Sequence, residues 1–173
     1  MLSYKLLFFL PLISTIFTYP FGVLLGEKTA QYFSSTLISL AAILSWFLFI
    51  SFSSSSSSEI IIPVLEWFFV SGQFFNWGIS VNSLTLLMLT LVLTVSALVH
   101  IYSIEYMSHD NSKVRFMTYL SLFTFCMVAL VVSDNLIQLF FGWEGVGLAS
   151  YLLIGFWHHK KSANLAEMKA FLV

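Results

Sequence analysis

The chain has 173 residues, of which 59% are hydrophobic, 18% are aromatic and only 9% are charged. Soluble domains carry about 25% charged residues, so this composition excludes an ordinary soluble enzyme, a disordered tail and a disulfide-rich secreted scaffold. The formal net charge of -1 leaves no basic surface for nucleic acid. Cys126 is the single cysteine, so no internal disulfide can form. Because a membrane-spanning helix needs about 20 apolar residues, this length accommodates roughly five or six spans.

The first 52 residues predict two membrane-spanning helices. The apolar blocks are Leu2–Leu25 and about 29–52, with a short turn of Gly26, Glu27 and Lys28 between them. A basic residue near the start also fits a signal peptide. The first block is long, however, and lacks a small-residue cleavage site, so we interpret it as a retained transmembrane helix.

Residues 53–81 form a predicted extramembrane segment. Ser53–Ser58 is a serine run typical of a flexible linker. Residues 59–81 are rich in β-branched and aromatic types on both sides of Ser71-Gly72, which favours a β-hairpin at the membrane surface with Pro63 at an edge. A single re-entrant segment is the alternative interpretation.

Residues 82–173 predict three further spans and the beginning of a sixth helix. The spans cover about 82–106, 116–132 and 136–157. Capping-box spacing occurs twice, at Asn135 with Gln138 and at Asn164 with Glu167, and the second pair is expected to open the sixth helix. The predicted fold class is therefore an all-α polytopic membrane protein. It has five full transmembrane helices, the start of a sixth, and a small hairpin-like segment between helices 2 and 3.

The basic residues predict an orientation in the membrane. With the spans placed as above, five basic loop residues lie on one side and only Lys5 lies on the other. By the positive-inside rule the five face the cytoplasm or the mitochondrial matrix. The N-terminus and the hairpin then face the opposite compartment. The five residues are Lys28, Lys113, Arg115, Lys160 and Lys161.

Glu144 is the residue whose position demands an explanation. It lies near the middle of the fifth span, where an ionised carboxylate costs several kcal/mol. The group can take a proton or face a buried cation or water, and a carboxyl balanced between these states can carry protons. A protonated hydrogen-bond donor between helices is the alternative. Nearby Gly142, Gly145 and Gly147 are typical of close helix packing.

Two other polar residues are weaker candidates for proton transfer. His100 lies in the third span and can titrate near neutral pH, although such a residue often only satisfies a local backbone partner. Lys169 lies in the sixth helix, where snorkelling to the membrane surface is an alternative role. His158 and His159 are too few to predict a metal site, and the chain itself is expected to hold no cofactor.

The residues from Val81 to Val173 resemble the antiporter-like subunit 5 of NADH:ubiquinone oxidoreductase, respiratory complex I. The first 80 residues fit this family by layout only. The most specific run extends from Gly142 to Leu148 and reads GWEGVGL. The other stretches that carry the resemblance are Leu98–Ser103, Tyr119–Phe123, Asp134–Leu136, Ser150–Trp157 and Lys169–Phe171.

The resemblance implies a proton-translocating membrane-arm subunit without a redox centre of its own. The complex would use NADH, FMN, iron-sulfur clusters and ubiquinone. Glu144 would be the intramembrane proton carrier, coupled to a lysine on a later helix. The implied location is the mitochondrial inner membrane, with the N-terminus in the intermembrane space. A bacterial plasma membrane is the alternative location.

Two departures from the family accompany the resemblance. Asn82 stands where relatives often have Asp, and the family protein is several times longer than this chain. We therefore expect a split subunit, with a separate chain supplying the remaining helices and with other membrane-arm subunits as partners. The alternatives are a subunit of a multi-subunit cation/proton antiporter, a membrane-bound hydrogenase subunit, and a structural scaffold that has lost pumping.

Overall fold

Five long apolar helices make up most of the protein. The computed structural model describes residues 1–53, 59–70, 73–110, 112–157 and 161–172. Helices α1 to α5 are long and apolar enough to cross a membrane, and they confirm the predicted fold class. The elements in chain order are α1 (Leu2–Leu25), α2 (Glu27–Ser53), β1 (Ile60–Val70), β2 (Gln73–Val81), α3 (Ser83–Tyr106), α4 (Lys113–Val131), α5 (Leu136–Ile154), a 3₁₀ turn (Gly155–Trp157) and α6 (Lys161–Leu172).

A single residue reverses the chain between the first two helices. Helix α1 continues through Pro11 and Pro20 and ends before Gly26, whose φ of 97° lies in the left-handed region. Glycine adopts this conformation without the steric cost that a Cβ brings. Helix α2 therefore starts at Glu27, two residues earlier than predicted, and its acidic side chain lies in the first turn, where the helix dipole favours negative charge.

Asparagine side chains begin two of the later helices. The Asn82 Oδ1 atom accepts a hydrogen bond from the Thr85 backbone N at 2.8 Å, and Asn135 caps α5 in the same way. An uncharged amide at position 82 therefore makes the hydrogen bond that caps α3, and the Asp that family members often have there is not needed for this cap. The predicted cap at Asn164 is wrong, because α6 already begins at Lys161.

One end of the bundle gathers the charged connections, and we call it the charged end. The Lys113 Nζ atom lies 2.9 Å from the Glu27 carboxylate, which joins the start of α4 to the start of α2. Asp110 accepts hydrogen bonds from the Ser112 backbone N and from the Trp157 indole, and these donors lower the pKa of its carboxyl. Three connections thus meet at one end, as the predicted spans require, while residues 158–160 of the basic loop lie outside the described residues.

The opposite end carries the β-hairpin, and we call it the hairpin end. Strands β1 and β2 pair antiparallel, which confirms a hairpin rather than a re-entrant segment, and the pairing shifts register just after Pro63. A proline lacks the backbone N–H of a regular ladder, so it fits at such an irregularity. The predicted turn at Ser71-Gly72 lies outside the described residues.

The hairpin is held on the α4–α5 turn by hydrogen bonds. The fully buried Gln138 side chain accepts from the Gly78 backbone N at 3.2 Å and donates to the Gly78 carbonyl at 2.9 Å. The Ser80 backbone N donates to the Val132 carbonyl at 2.9 Å. Gln138 therefore does not complete the predicted capping box with Asn135, because its side chain is used to bind the hairpin.

Two glycines bring α5 close to α4. A Cβ atom at Gly142 would lie 2.7 Å from the Leu130 backbone, and one at Gly145 would lie 2.7 Å from the Cys126 sulfur. Both distances are shorter than any normal contact, so these positions require the absence of a side chain. Gly147 differs, since a Cβ there would meet nothing within 4 Å. The three glycines therefore do not share one packing role.

We expect Gln138→Leu to destabilise the protein. Leucine fills a similar volume but leaves the buried Gly78 N–H and C=O groups without a partner, at a cost of about 1–3 kcal/mol each. Thermal unfolding in detergent, followed by tryptophan fluorescence, measures the loss. Ser83→Ala, at an exposed residue of the same end, is the control and should change stability by less than about 0.5 kcal/mol. Equal melting temperatures for both variants would contradict the assigned role of Gln138.

We expect Gly142→Ala to cost about 1–3 kcal/mol, because the added methyl meets backbone atoms that cannot move aside. Gly147→Ala is the matched control in the same helix. It meets open space and should stabilise the helix by up to about 1 kcal/mol. The same thermal unfolding assay compares the two. Destabilisation of equal size would show that α5 is sensitive to any side chain at its glycines.

Candidate functional site

Glu144 lies at the centre of α5, on the side that faces away from α4. It is eight residues from the start of the helix and ten from its end, which is consistent with the predicted deep position. Its side chain is exposed. Neither a hydrogen bond nor an ion pair reaches its carboxylate from the residues that the structure describes.

The surface around Glu144 is apolar and uncovered. Phe140, Trp143 and Leu148 are all exposed on the same part of α5, and Gly147 adds no side chain. Glu144 therefore lies among side chains suited to lipid or to another helix. A carboxylate at the centre of such a face costs about 2.5–3.5 kcal/mol or more if it stays ionised in hydrocarbon. Protonation or a cationic partner removes this cost.

Lys169 is not the cationic partner of Glu144 in this structure. It is exposed on α6, and no ion pair joins the two side chains. The polar contact between α5 and α6 involves other residues, since the Tyr151 hydroxyl donates a hydrogen bond to Glu167. The chain therefore presents Glu144 and Lys169 as separate groups.

His100 lies in the interior of the bundle, at a junction of four helices. Its side chain is completely buried, with 0% exposure. The Nε2 atom is 3.3 Å from the Ser121 hydroxyl of α4. The Ser121 oxygen is also 2.9 Å from the Ser14 hydroxyl of α1 and 2.8 Å from the Ser34 hydroxyl of α2. We call these four residues the His-Ser junction.

The hydrogen bonds define the proton positions of the His-Ser junction. The His100 Nδ1 atom lies 2.8 Å from the Ser96 carbonyl oxygen, which can only accept, so Nδ1 carries the proton. In the neutral ring Nε2 then accepts from the Ser121 hydroxyl. Ser121 in turn can accept from Ser34, and the Ser14 hydroxyl donates to Ser34 at 3.1 Å, so every hydroxyl of the junction has a partner. A charged ring would require Ser121 to accept instead, and a hydroxyl can rotate to do so.

A second pair of hydroxyls lies beside the His-Ser junction. Ser96 and Thr124 are joined at 2.6 Å, and Ser96 is 3.3 Å from His100 Nδ1. These two residues line a groove of about 350 Å³ between α3, α4 and α5. The remaining lining residues are apolar, so the groove does not offer further polar partners to the junction.

The sequence points to His100 and Glu144 but not to the serines that surround His100. Ser14, Ser34 and Ser121 are common residues in apolar helices, and no motif singles them out. A usable signal was the helical spacing of polar residues within each span. Ser96, His100 and Ser103 recur at intervals of four and three, so they share one face of α3.

A metal or cofactor site is not evident in the described part of the chain. Across residues 1–53, 59–70, 73–110, 112–157 and 161–172, no three His, Cys, Asp or Glu side chains gather as metal ligands. The chemistry that these side chains offer is proton binding and release, by Glu144 on an open face and by His100 inside the bundle.

Comparison with known proteins gives two matching family models. Residues 67–117 match the model described as NADH-ubiquinone oxidoreductase (complex I), chain 5 N-terminus. Residues 133–173 match the model described as NADH:quinone oxidoreductase/Mrp antiporter, TM. The first match covers the end of β1, all of β2 and α3, and the second covers α5 with Glu144.

Several curated relatives match nearly the whole chain. NADH-quinone oxidoreductase subunit L of Rhodobacter capsulatus is 49% identical over 87% of this chain and 22% of its own length. NADH-ubiquinone oxidoreductase chain 5 of Marchantia polymorpha is 46% identical over 98% of this chain and 25% of its own length. The chain 5 protein of Arabidopsis thaliana is 45% identical with the same coverage.

The chain spans about a quarter of the length of these relatives. The aligned region includes α1 and α2. The sequence motifs alone had linked these two helices to the family only through their layout. With both family models matched and identities of 45–49% along most of the chain, the protein belongs to the family of chain 5, or subunit L, of the NADH-quinone oxidoreductases.

Proposed function

We propose that the protein is a proton-translocating membrane-arm component of an NADH:quinone oxidoreductase, and that Glu144 carries protons within the membrane. The observation that carries the proposal is the carboxyl group at the centre of a membrane-spanning helix, on an apolar face, without a partner among the described residues. Family membership supplies the context, because the relatives are named as subunits of this enzyme.

The position of Glu144 supports a role in proton transfer on energetic grounds. An intramembrane carboxyl is costly when ionised, so its charge depends on what faces it. A cation brought near the group favours the ionised form, and removal of that cation favours the protonated form. Such alternation binds and releases one proton per cycle, which is the elementary step of a pump.

The open face of α5 supports the presence of further polypeptide around Glu144. We propose that the covering helices, with the coupling lysine, come from residues beyond this sequence or from a separate chain, as the greater length of the relatives suggests. Lys169 is exposed and could face such a partner. Other membrane-arm subunits of the complex would complete the surroundings.

His100 is proposed as a second proton-holding residue. It is fully buried and its hydrogen bonds can serve both the neutral and the charged ring, because the Ser121 hydroxyl can either donate or accept. The chain itself is proposed to hold no redox centre. NADH, FMN, iron-sulfur clusters and ubiquinone would act elsewhere in the complex.

The proposed location is the mitochondrial inner membrane, with a bacterial plasma membrane as the alternative. The charged end, with Lys28, Lys113 and Arg115, would face the matrix by the positive-inside rule. The N-terminus and the hairpin would then face the intermembrane space. Residues 1–52 are proposed to form two membrane helices, and residues 53–81 an extramembrane segment. Residues 82–173 are proposed to form the antiporter-like core.

A cation/proton antiporter subunit is the second candidate function. The model that matches residues 133–173 names both the oxidoreductase and the Mrp antiporter, and the proposed chemistry of Glu144 is the same in each. The two differ in the driving force. Proton movement that depends on NADH oxidation identifies the oxidoreductase, whereas movement that depends on a sodium or potassium gradient identifies the antiporter.

We expect Glu144→Gln in the assembled complex to lower the number of protons pumped per NADH oxidised. The amide has nearly the same shape but cannot bind and release a proton, so transfer through this site should slow by about 10²-fold or more. Pumping is measured in sealed vesicles by quenching of a pH-sensitive acridine dye, together with the rate of NADH oxidation. Glu144→Asp, which keeps the carboxyl, should retain partial pumping.

Glu105→Gln is the control for loss of negative charge. Glu105 is exposed in the last turn of α3 at the charged end, so its neutralisation should leave pumping unchanged. If Glu144→Gln pumps as well as the unaltered complex, Glu144 is not a proton carrier and the chain acts as a structural scaffold.

A further inference from the structure

We infer that the charged end of the bundle holds a binding site for the phosphate group of an anionic phospholipid, with Arg115 as the cation that binds it. Arg115 lies in the first turn of α4, close to the aromatic residues that follow α5. The proton chemistry proposed above does not use this arginine. The inference goes beyond that function, because it depends on the place of Arg115 at a membrane surface and not on pumping.

Arg115 is a partly buried cation without a counter-ion in the described structure. Its side chain is neither fully buried nor fully exposed, and its Nε atom is buried without a hydrogen-bond partner among the described residues. Within this part of the chain, no carboxylate forms an ion pair with its guanidinium group. A charge withdrawn from water without a partner is costly, so an anion bound here would stabilise it.

The two acidic side chains near the start of α4 are already engaged by other groups. Asp110 senses the positive charge of Arg115. Its two oxygens, however, accept hydrogen bonds from the Ser112 backbone N at 2.7 Å and from the Trp157 indole at 3.1 Å. Glu27 is paired with Lys113 at 2.9 Å. The guanidinium group therefore remains available to an anion that comes from outside the described residues.

An aromatic ring fixes the orientation of the guanidinium group. The central carbon of Arg115 lies 5.1 Å from the centre of the Phe156 ring, which is within the range of a cation–π contact. Phe156 is only 5% exposed and packs edge-on against Phe116. Because Nε is buried, the two terminal nitrogens are the donors left for a ligand. A planar, oriented fork of this kind binds phosphate through two parallel hydrogen bonds.

The start of α4 adds to the positive potential at this position. The first turn contains Lys113 and Arg115 but no acidic residue, and the Ser112 side chain does not cap the helix. The helix dipole favours negative charge at this end. Glu27 offsets Lys113, whereas an anion beside Arg115 would offset both the second charge and the dipole.

The location of Arg115 favours a lipid over a soluble anion. Helix α4 is long and apolar enough to cross a membrane, so the residues of its first turn lie at the level of the lipid headgroups. Trp157, which is 41% exposed, belongs to the residue types enriched at that level. Basic sites between membrane helices recognise the headgroups of anionic phospholipids.

The surface of α4 next to Arg115 suits an acyl chain. Thr118 and Leu122 follow Arg115 at intervals of three and four residues, so they share its face of the helix, and both are partly exposed. The Thr118 hydroxyl donates to the Val114 carbonyl of its own helix at 2.9 Å. The face therefore presents mostly hydrocarbon, and it begins one turn from the phosphate site.

Photolabelling with a lipid probe tests the site. The complete complex is placed in phosphatidylcholine vesicles that contain a small fraction of phosphatidylglycerol with a photoactivatable diazirine near the top of one acyl chain. Matched vesicles contain a phosphatidylcholine probe with the same chain. After illumination, mass spectrometry of proteolytic fragments measures the label on residues 116–122.

In the unaltered complex, we expect the anionic probe to label residues 116–122 at least about tenfold more than the zwitterionic probe, which corresponds to about 1.4 kcal/mol. Arg115→Gln removes the charge and should abolish this preference. Arg115→Lys keeps the charge but loses the planar fork, so it should retain only part of the preference. Lys28→Gln is the matched control, because it removes the same charge from an exposed residue of the same end and should leave the preference unchanged.

Equal labelling by the two probes in the unaltered complex would overturn the inference and indicate that a protein carboxylate serves Arg115 instead. Competition by excess glycerol 3-phosphate would also overturn it, because the site would then take a soluble phosphate. A preference that persists in Arg115→Gln would assign the lipid to other residues. If Arg115→Gln fails to assemble, Arg115→Lys and competition by unlabelled phosphatidylglycerol decide the question. The assay measures lipid binding and not pumping, so its outcome is separate from that of Glu144→Gln.

Discussion

The structure depends on one constraint, which is that polar groups within an apolar interior must satisfy one another. Ser14, Ser34, Ser121 and His100 come from four helices and meet through hydrogen bonds of 2.8–3.3 Å. Separated, the three hydroxyls and His100 Nε2 would lose these partners in a buried environment. Their common junction therefore fixes how α1, α2, α3 and α4 face each other, and it also provides the interior with groups that can hold and transfer a proton.

Helix α5 is positioned by close backbone packing against α4 rather than by buried hydrogen bonds. Gly142 and Gly145 allow its backbone to approach α4 on one side, and this contact turns Glu144 to the other side, where nothing in the described residues covers it. Close packing on one face and a lone carboxyl on the opposite face are two consequences of the same orientation. The family match gives this arrangement a context, since the chain spans only about a quarter of the length of the matched relatives.

The hairpin and the charged connections close the two ends of the bundle in different ways. At the hairpin end, the Gln138 amide matches both backbone groups of Gly78, which ties an extended segment to a helical core without charges. At the charged end, Glu27 with Lys113 and Asp110 with Trp157 join separate connections through polar side chains. The two ends therefore differ in charge.

The sequence by itself determined the number of candidate spans, the hairpin and the positions of His100 and Glu144 within two of these spans, because hydrophobic length, strand composition and isolated polar residues are local properties. It did not determine which serines surround His100, that Gln138 binds the hairpin instead of completing a capping box, or that Gly142 and Gly147 have different roles. Serine, glutamine and glycine are compatible with many environments, and their partners lie up to 107 residues away in the chain. Only the packing of the helices decides which of these residues meet.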